Sequence, residues 1–248
     1  MSIARALVIG AGGEVGRATV LALEAAGIQV TAAGRDRDAT SPVQVAALLA
    51  ESSPDLVVIA AGTRPRMAPV SEQSWESFSA AWEVDVRIAF EVGQAVLTQP
   101  LRPGSTVVIV SSGAAVVGSP LSGGYAGAKR MQMFLAQYLQ QAADVRGLGI
   151  RFVAVVPQML AGTAIGLAAA SAYGAPAGLS GEEHLRRAFP VPLDAAGLAA
   201  AILAVDQYPD AAVLKVTGGG IEVMGVLSRR ARPPVPCGAG PARRRTRR

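Results

Sequence analysis

Residues 4–26 read ARALVIGAGGEVGRATVLALEAA, and this stretch decides the fold. Ala4–Gly10 is a short apolar run without alternation, as expected of a strand covered on both faces. Gly10, Gly13 and Gly16 then mark a tight turn, and Glu14–Ala26 carries a helical pattern. The unit is strand, glycine turn, helix. The same rhythm recurs along the chain. Ile28–Gly34, Leu56–Ala61, Thr106–Ser111, Ile150–Val156 and Ala212–Val216 read as further strands. Val43–Glu51, Glu72–Leu97, Tyr125–Val145 and Ala195–Gln207 read as helices between or after them. Alternation of this kind predicts an α/β protein with a doubly wound parallel sheet and right-handed crossovers. Only about 20 residues separate Arg35 from the Leu56 strand.

The chain has 248 residues, 51% of them hydrophobic and 17% charged, which suits one well-buried domain over residues 1–228. A single cysteine, Cys237, excludes a disulfide framework, and a single histidine, His184, argues against a histidine metal cluster. The formal charge is +5, yet eight arginines lie between Arg229 and Arg248 with no acid among them. The rest of the chain holds 15 basic against 18 acidic residues, so that part is mildly acidic and the positive net charge says nothing about its binding face. The tail, 229–248, reads as disordered, and only its charge speaks for nucleic acid. The two long uncharged stretches are broken by glycine and proline. That argues against a membrane span, and a cytoplasmic protein is expected. Residues 163–193, rich in Gly, Ala and Pro, are expected to form an irregular substrate lid.

Glycines at a strand–helix turn let backbone N–H groups approach a diphosphate at the helix N-terminus. The G-x-x-G-x-x-G spacing here departs from strict G-x-G-x-x-G, because Val15 stands where the last glycine would fall. Gly10, Gly13, Glu14, Val15 and Gly16 are nevertheless the candidate dinucleotide loop. Glu14 is its discordant member, since a carboxylate repels a diphosphate. After the second strand the chain reads Gly34-Arg35-Asp36-Arg37-Asp38. Arg35 suits the 2′-phosphate of NADP, whereas Asp36 and Asp38 leave NAD open.

Tyr125 and Lys129 lie four apart, on one helix face, in a chain with two lysines against 21 arginines. A nearby ammonium lowers a phenol's pKa and makes it a usable acid–base group. Ser112 closes the fourth strand, where ligands of open α/β sheets bind. Its neighbour Ser111 is the alternative, and the 13-residue spacing to Tyr125 favours Ser112.

On these marks, with Ala60-Ala61-Gly62, Val156-Pro157 and Thr217-Gly218-Gly219, the chain over about residues 4–220 resembles the short-chain dehydrogenase/reductase family. The resemblance implies a Rossmann fold and an NADP(H)-dependent interconversion of a ketone and a secondary alcohol. Tyr125 would hand a proton to the carbonyl oxygen, Ser112 would hold that oxygen, and Lys129 would bind the nicotinamide ribose and tune Tyr125. Ala61, Gly62 and Pro157 would border the cofactor, and Thr163 would touch its carboxamide. Asp85 stands where the family has an asparagine that supports a relay water largely through its backbone. Gln158 replaces a glycine, and Ala60 replaces an asparagine. The interval between Arg35 and the Leu56 strand is too short for the third strand and helix that the resemblance implies, so a third strand is expected to be missing or reduced to Asp38–Thr40. The resemblance also implies a homodimer or homotetramer and a small carbonyl or alcohol substrate. An apolar ketone fits the Ala114–Val117, Gln158–Met159 and 163–189 segments best. A non-catalytic dinucleotide sensor of the same fold, and a lyase or epimerase that does not consume its cofactor, are the competing readings.

Overall fold

The structure, a computed structural model, describes residues 3–226. The expected 229–248 tail lies outside the described residues. The first strand, β1 (Arg5–Ile9), leads into helix α1 (Glu14–Ala25). Then come β2 (Gln29–Ala33), α2 (Pro42–Ser52) and β3 (Leu56–Ile59). Helices α3 (Trp75–Ala81) and α4 (Arg87–Thr98) precede β4 (Thr106–Val110). The short α5 (Ala114–Val117) and the long α6 (Gly123–Val145) lead to β5 (Arg151–Pro157). Helices α7 (Ala164–Gly174), α8 (Gly181–Ala188) and α9 (Ala195–Leu203) precede β6 (Ala211–Thr217) and β7 (Gly220–Val226).

Among the described residues the sheet runs β2-β1-β3-β4-β5-β6-β7, parallel except for the antiparallel β6–β7 pair. No strand lies outside β2 among these residues, so the sheet ends where the sequence predicts a missing strand. Alternate residues of each strand face opposite layers. Leu7, Ile9, Val57, Ile59, Val107, Ile109 and Phe152 pack with Leu48 of α2, Val92 of α4 and Leu139 of α6. Val8, Val58, Val108, Val153 and Val155 pack with Leu23 of α1 and with Leu198 and Ile202 of α9. Full burial on both faces is why these strands show no polar alternation. Each of the larger side chains contributes about 1.5–3 kcal/mol relative to exposure.

Three expectations are corrected. Residues 163–193 are not irregular: they hold α7 and α8. Thr163 caps α7 by accepting from the Gly166 N–H (3.1 Å). Ser180 and Glu183 form a reciprocal capping box at α8. The S-x-x-E signature of that box was present in the sequence. The expected helix 72–97 is broken: Trp82–Val86 forms a π-helical turn between α3 and α4, which places Asp85 inside the molecule. Strand β7 was not expected, because its Gly220-Ile-Glu-Val-Met-Gly sequence lacks the buried-strand pattern; it is the outer strand of a hairpin.

Candidate functional site

The C-terminal ends of β1, β3, β4 and β5 meet the N-termini of α1, α6 and α7, and the candidate site lies among them. The glycine turn leaves β1 through Gly10, whose φ is +88°. A Cβ there would lie 2.4 Å from the Ala61 backbone nitrogen, so only glycine fits. A Cβ on Gly16 would meet the Gly10 carbonyl at 2.1 Å, which lets α1 pack tightly onto the turn. Gly13 is the N-cap of α1 and offers no side-chain acceptor. The first-turn N–H groups of α1 therefore have no side-chain cap, an arrangement suited to an anion.

At the end of β4 the two serines divide their work. Ser111 is buried and donates to the Lys129 carbonyl (2.7 Å), so it anchors α6. Ser112 is half-buried and its Oγ accepts only a long bond from the Ala114 N–H (3.3 Å), leaving its proton free for another acceptor among the described residues. The structure thus separates the anchoring serine from the available one.

Helix α6 presents Tyr125 and Lys129 on one face. Tyr125 is half-buried, and its hydroxyl makes no hydrogen bond among the described residues. Lys129 is buried, with Nζ 5.6 Å from the Tyr125 ring centroid. Nζ donates to the Val110 carbonyl (3.3 Å) and lies 3.1 Å from Asp85 Oδ2. Burial pushes the Lys129 pKa down, but the charge of Asp85, then Tyr125 and the hydrogen bond to Asp85, outweigh it and hold the pKa above its ordinary value. The ammonium is therefore kept charged inside the protein.

Asp85 is itself fully buried. Its Oδ1 accepts from the Thr63 N–H (2.8 Å) and the Thr63 hydroxyl (3.2 Å), and its main-chain carbonyl accepts from Gln132 Nε2 (2.9 Å). Gly62 passes beside the ion pair. Asp85 thus meets Lys129 directly through its carboxylate, while its main-chain carbonyl accepts from Gln132. Thr63 and Gln132 were not singled out in the sequence. Gln132 had a signal: it follows Tyr125 by seven and Lys129 by three, on the same helical face. Thr63 had none, since only the fold brings it to Asp85.

The cofactor-side residues are less gathered. Arg35 follows β2, is exposed, and has no ion pair among the described residues. Arg37 instead pairs with Glu51. Asp38 accepts from the Thr40 hydroxyl (2.6 Å) and N–H (2.9 Å); these bonds hold its pKa below the usual carboxylate value. Asp38 is thus committed to its own turn. The Pro157 carbonyl is occupied by the Gly113 N–H (2.7 Å). Thr163 is buried, and its hydroxyl, besides capping α7, donates to the Leu160 carbonyl (3.2 Å). Gln158 Nε2 donates to the Val191 carbonyl (2.9 Å), fastening the return of the 163–193 segment.

A cleft of about 840 Å³ opens between the glycine turn and this segment. Met159, Leu167, Leu185 and Phe189 give it an apolar wall, with Glu14, Glu182 and Arg186 at its polar edge. Ser112, Tyr125 and Lys129 do not line it. The chemistry-bearing residues are a separate group at the end of β4 and the start of α6.

A family model described as enoyl-(acyl carrier protein) reductase matches residues 17–219. The chain belongs to the short-chain dehydrogenase/reductase family of oxidoreductases. It is 34% identical over 130 residues to the short chain dehydrogenase/reductase AacuD of Aspergillus aculeatus, an alignment covering 50% of this chain and 46% of that protein. The chain thus matches about half the length of this curated relative. Its fold is similar to that of NAD+-bound xylitol dehydrogenase, with a TM-score of 0.71 and 21% identity over 87% of this chain and 98% of that one. Sorbitol-6-phosphate 2-dehydrogenase SrlD from Erwinia amylovora gives 0.72 and 22% over 86% and 98%. Actinorhodin polyketide ketoreductase with NADPH gives 0.71 and 18% over 87% and 97%.

Proposed function

We propose that this protein is an NADP(H)-dependent oxidoreductase that interconverts a ketone and a secondary alcohol. The observation that carries the reading is the Tyr125–Lys129 face of α6, with its buried cation, set beside the available hydroxyl of Ser112. The uncapped N-terminus of α1 supports the diphosphate of either dinucleotide, and the exposed guanidinium of Arg35, without an ion pair among the described residues, supports the 2′-phosphorylated one. The bound cofactor supplies or accepts the hydride.

The protein's own contribution is the proton and the oxygen. Ser112 donates a hydrogen bond to the substrate oxygen and orients it. Tyr125 delivers its phenolic proton to that oxygen as the carbonyl is reduced, and takes it back when the alcohol is oxidised. The Lys129 charge stabilises the tyrosinate left behind. Asp85 keeps Lys129 charged, and it also tempers the field at Tyr125, because a neutralised pair attracts an anion less than a bare ammonium does.

The 163–193 segment is read as the substrate lid over a domain of residues 1–228. The apolar wall of Met159, Leu167, Leu185 and Phe189 suits the hydrophobic body of a ketone whose oxygen reaches out of the cleft to Ser112 and Tyr125. Exposed Trp75, Trp82, Phe90 and Phe134 support an assembly of two or four copies. No helix among the described residues is long and apolar enough to cross a membrane.

Fluorescence titration with NADPH and NADH tests the cofactor, and a ketone panel followed at the nicotinamide absorbance tests the reaction. NADPH preference with ketone-dependent oxidation is expected. Binding of neither dinucleotide would overturn the reading. Binding without consumption across ketones, alcohols and enoyl thioesters would favour the sensor.

A further inference from the structure

Glu14 opens α1 in the middle of the glycine turn, where the sequence makes it the discordant member. In the structure its carboxylate reaches across to α7. Oε1 and Oε2 lie 3.0 and 3.1 Å from the Ala164 N–H, 150 residues away. Ala164 is the first residue of α7, so its N–H is one of the donors that a helix leaves without a partner. One carboxylate therefore lies at the positive ends of two helices, α1 and α7, where negative charge is favoured.

We infer that Glu14 is an intramolecular latch on the dinucleotide site: its carboxylate holds α7 against the glycine turn and must leave that position before a diphosphate can settle there. This rests on the dinucleotide reading above. A diphosphate bound at the N-terminus of α1 would face the Glu14 carboxylate, and like charges at such range repel. The two anions compete for one electropositive region between the helices.

The surroundings suit a latch. Glu14 also lines the cleft whose far wall is Leu167, Leu185 and Phe189, so releasing it loosens the segment that covers that cleft. The other end of α7 is tied separately: the Tyr173 hydroxyl bonds Ser119 Oγ (2.6 Å) in the loop before α6. The base of the segment is held by the Ala161 N–H on the Leu193 carbonyl (2.8 Å). Loss of the Glu14 contact would free the N-terminal end of α7 while both other ties remain. The latch thus couples cofactor entry to opening of the segment over the cleft.

The test uses the full chain with Glu14→Gln and Glu14→Gly. Gln keeps the size and one acceptor oxygen but removes the charge. Gly removes both. Dissociation constants for NADPH and NADH are measured by fluorescence titration, and amide hydrogen exchange of residues 161–174 is followed without ligand. Both variants should bind NADPH about tenfold or more tightly than the parent, which is roughly 1.4 kcal/mol. Exchange across 161–174 should rise most in Glu14→Gly. Unchanged or weaker NADPH binding in both variants overturns the latch and leaves the dinucleotide reading standing. Unchanged exchange in Glu14→Gly also overturns it, because α7 would then not be held by this contact. Binding of neither dinucleotide by the parent or either variant overturns the dinucleotide reading, and the latch with it. Raised exchange in that case would mark the contact as a structural tie only.

Discussion

The two halves of the candidate site are built differently. Around Lys129 the buried groups are tied to one another: Asp85 holds the ammonium, Thr63 and Gln132 hold Asp85, and Ser111 holds the Lys129 carbonyl. Around the glycine turn the polar groups are exposed or turned elsewhere. Arg35 is free among the described residues, and Glu14 is engaged with α7 rather than with its own loop. The frame around Lys129 is buried and held before any ligand arrives, while the half-buried hydroxyls of Ser112 and Tyr125 stay open to a ligand. The half that would take the cofactor is adjustable, and its charges set affinity rather than architecture. Pre-organisation costs little where the same side chains already hold the core together.

The sharpest way to break this contrast is at Tyr125. Tyr125→Phe removes the proton donor and nothing else that is bonded. Turnover should fall by about 10²–10⁴-fold while NADPH affinity stays within twofold of the parent, roughly the margin of independent surfaces. Steady-state assays beside fluorescence titration check this. Unchanged turnover would remove Tyr125 from the mechanism.

Asp85 offers the next largest effect, on stability. Asp85→Ala leaves a buried ammonium without its carboxylate and should cost about 3–5 kcal/mol in urea unfolding. Asp85→Asn keeps an acceptor for Thr63 and should cost less. The pH dependence has a definite sign. The folded pKa of Lys129 is raised above its unfolded value, so the pair's stabilisation is complete below the unfolded lysine pKa, about 10.4. It is lost as pH rises through the higher folded value. Urea midpoints measured through alkaline pH should therefore fall in the parent, and this part of the fall should be absent in Asp85→Ala.

On the cofactor half the effects should be smaller and selective. Arg35→Ala should weaken NADPH binding by about tenfold and leave NADH binding nearly unchanged, because only one of them carries the 2′-phosphate. Equal losses for both would place Arg35 outside phosphate recognition. The smallest effect is local. Thr40→Val removes the hydroxyl bond that, with the Thr40 N–H, lowers the Asp38 pKa, and should raise that pKa toward the ordinary value in an NMR titration. Asp38's contribution is present above the unfolded carboxylate pKa and disappears as pH falls through the lower folded one.

How far the sequence could be read follows from the range of the interactions involved. Strands β1 and β3 to β6 were legible because burial on both faces leaves largely apolar runs, and the partly exposed β2 was legible from its place between α1 and the Gly34 turn. Tyr125 and Lys129 were legible because a helix turns a four-residue spacing into a shared face. Helix α7 was missed because its run of Ala and Gly carries no polar face, and α8, Gly-Glu-Glu-His-Leu-Arg-Arg-Ala behind the Ser180 cap, was overlooked because it sits between Pro176 and Pro190 in a segment read as a whole. The break at Trp82–Val86 has no marker such as proline or glycine, so the helix there reads as continuous.

Residue order alone was enough to set the layers of this protein, the edge at β2, and the face that carries Tyr125 and Lys129, because apolar runs, a short interval between strands and a four-residue helical spacing are all local. The partners of these groups were decided only when the chain closed. Asp85 meets Lys129 because a π-helical turn tips it inward, Thr63 meets Asp85 across 22 residues, and Glu14 meets Ala164 across 150. Such contacts are chosen by burial and by unpaired backbone donors elsewhere in the fold, and neither is written in the neighbouring residues.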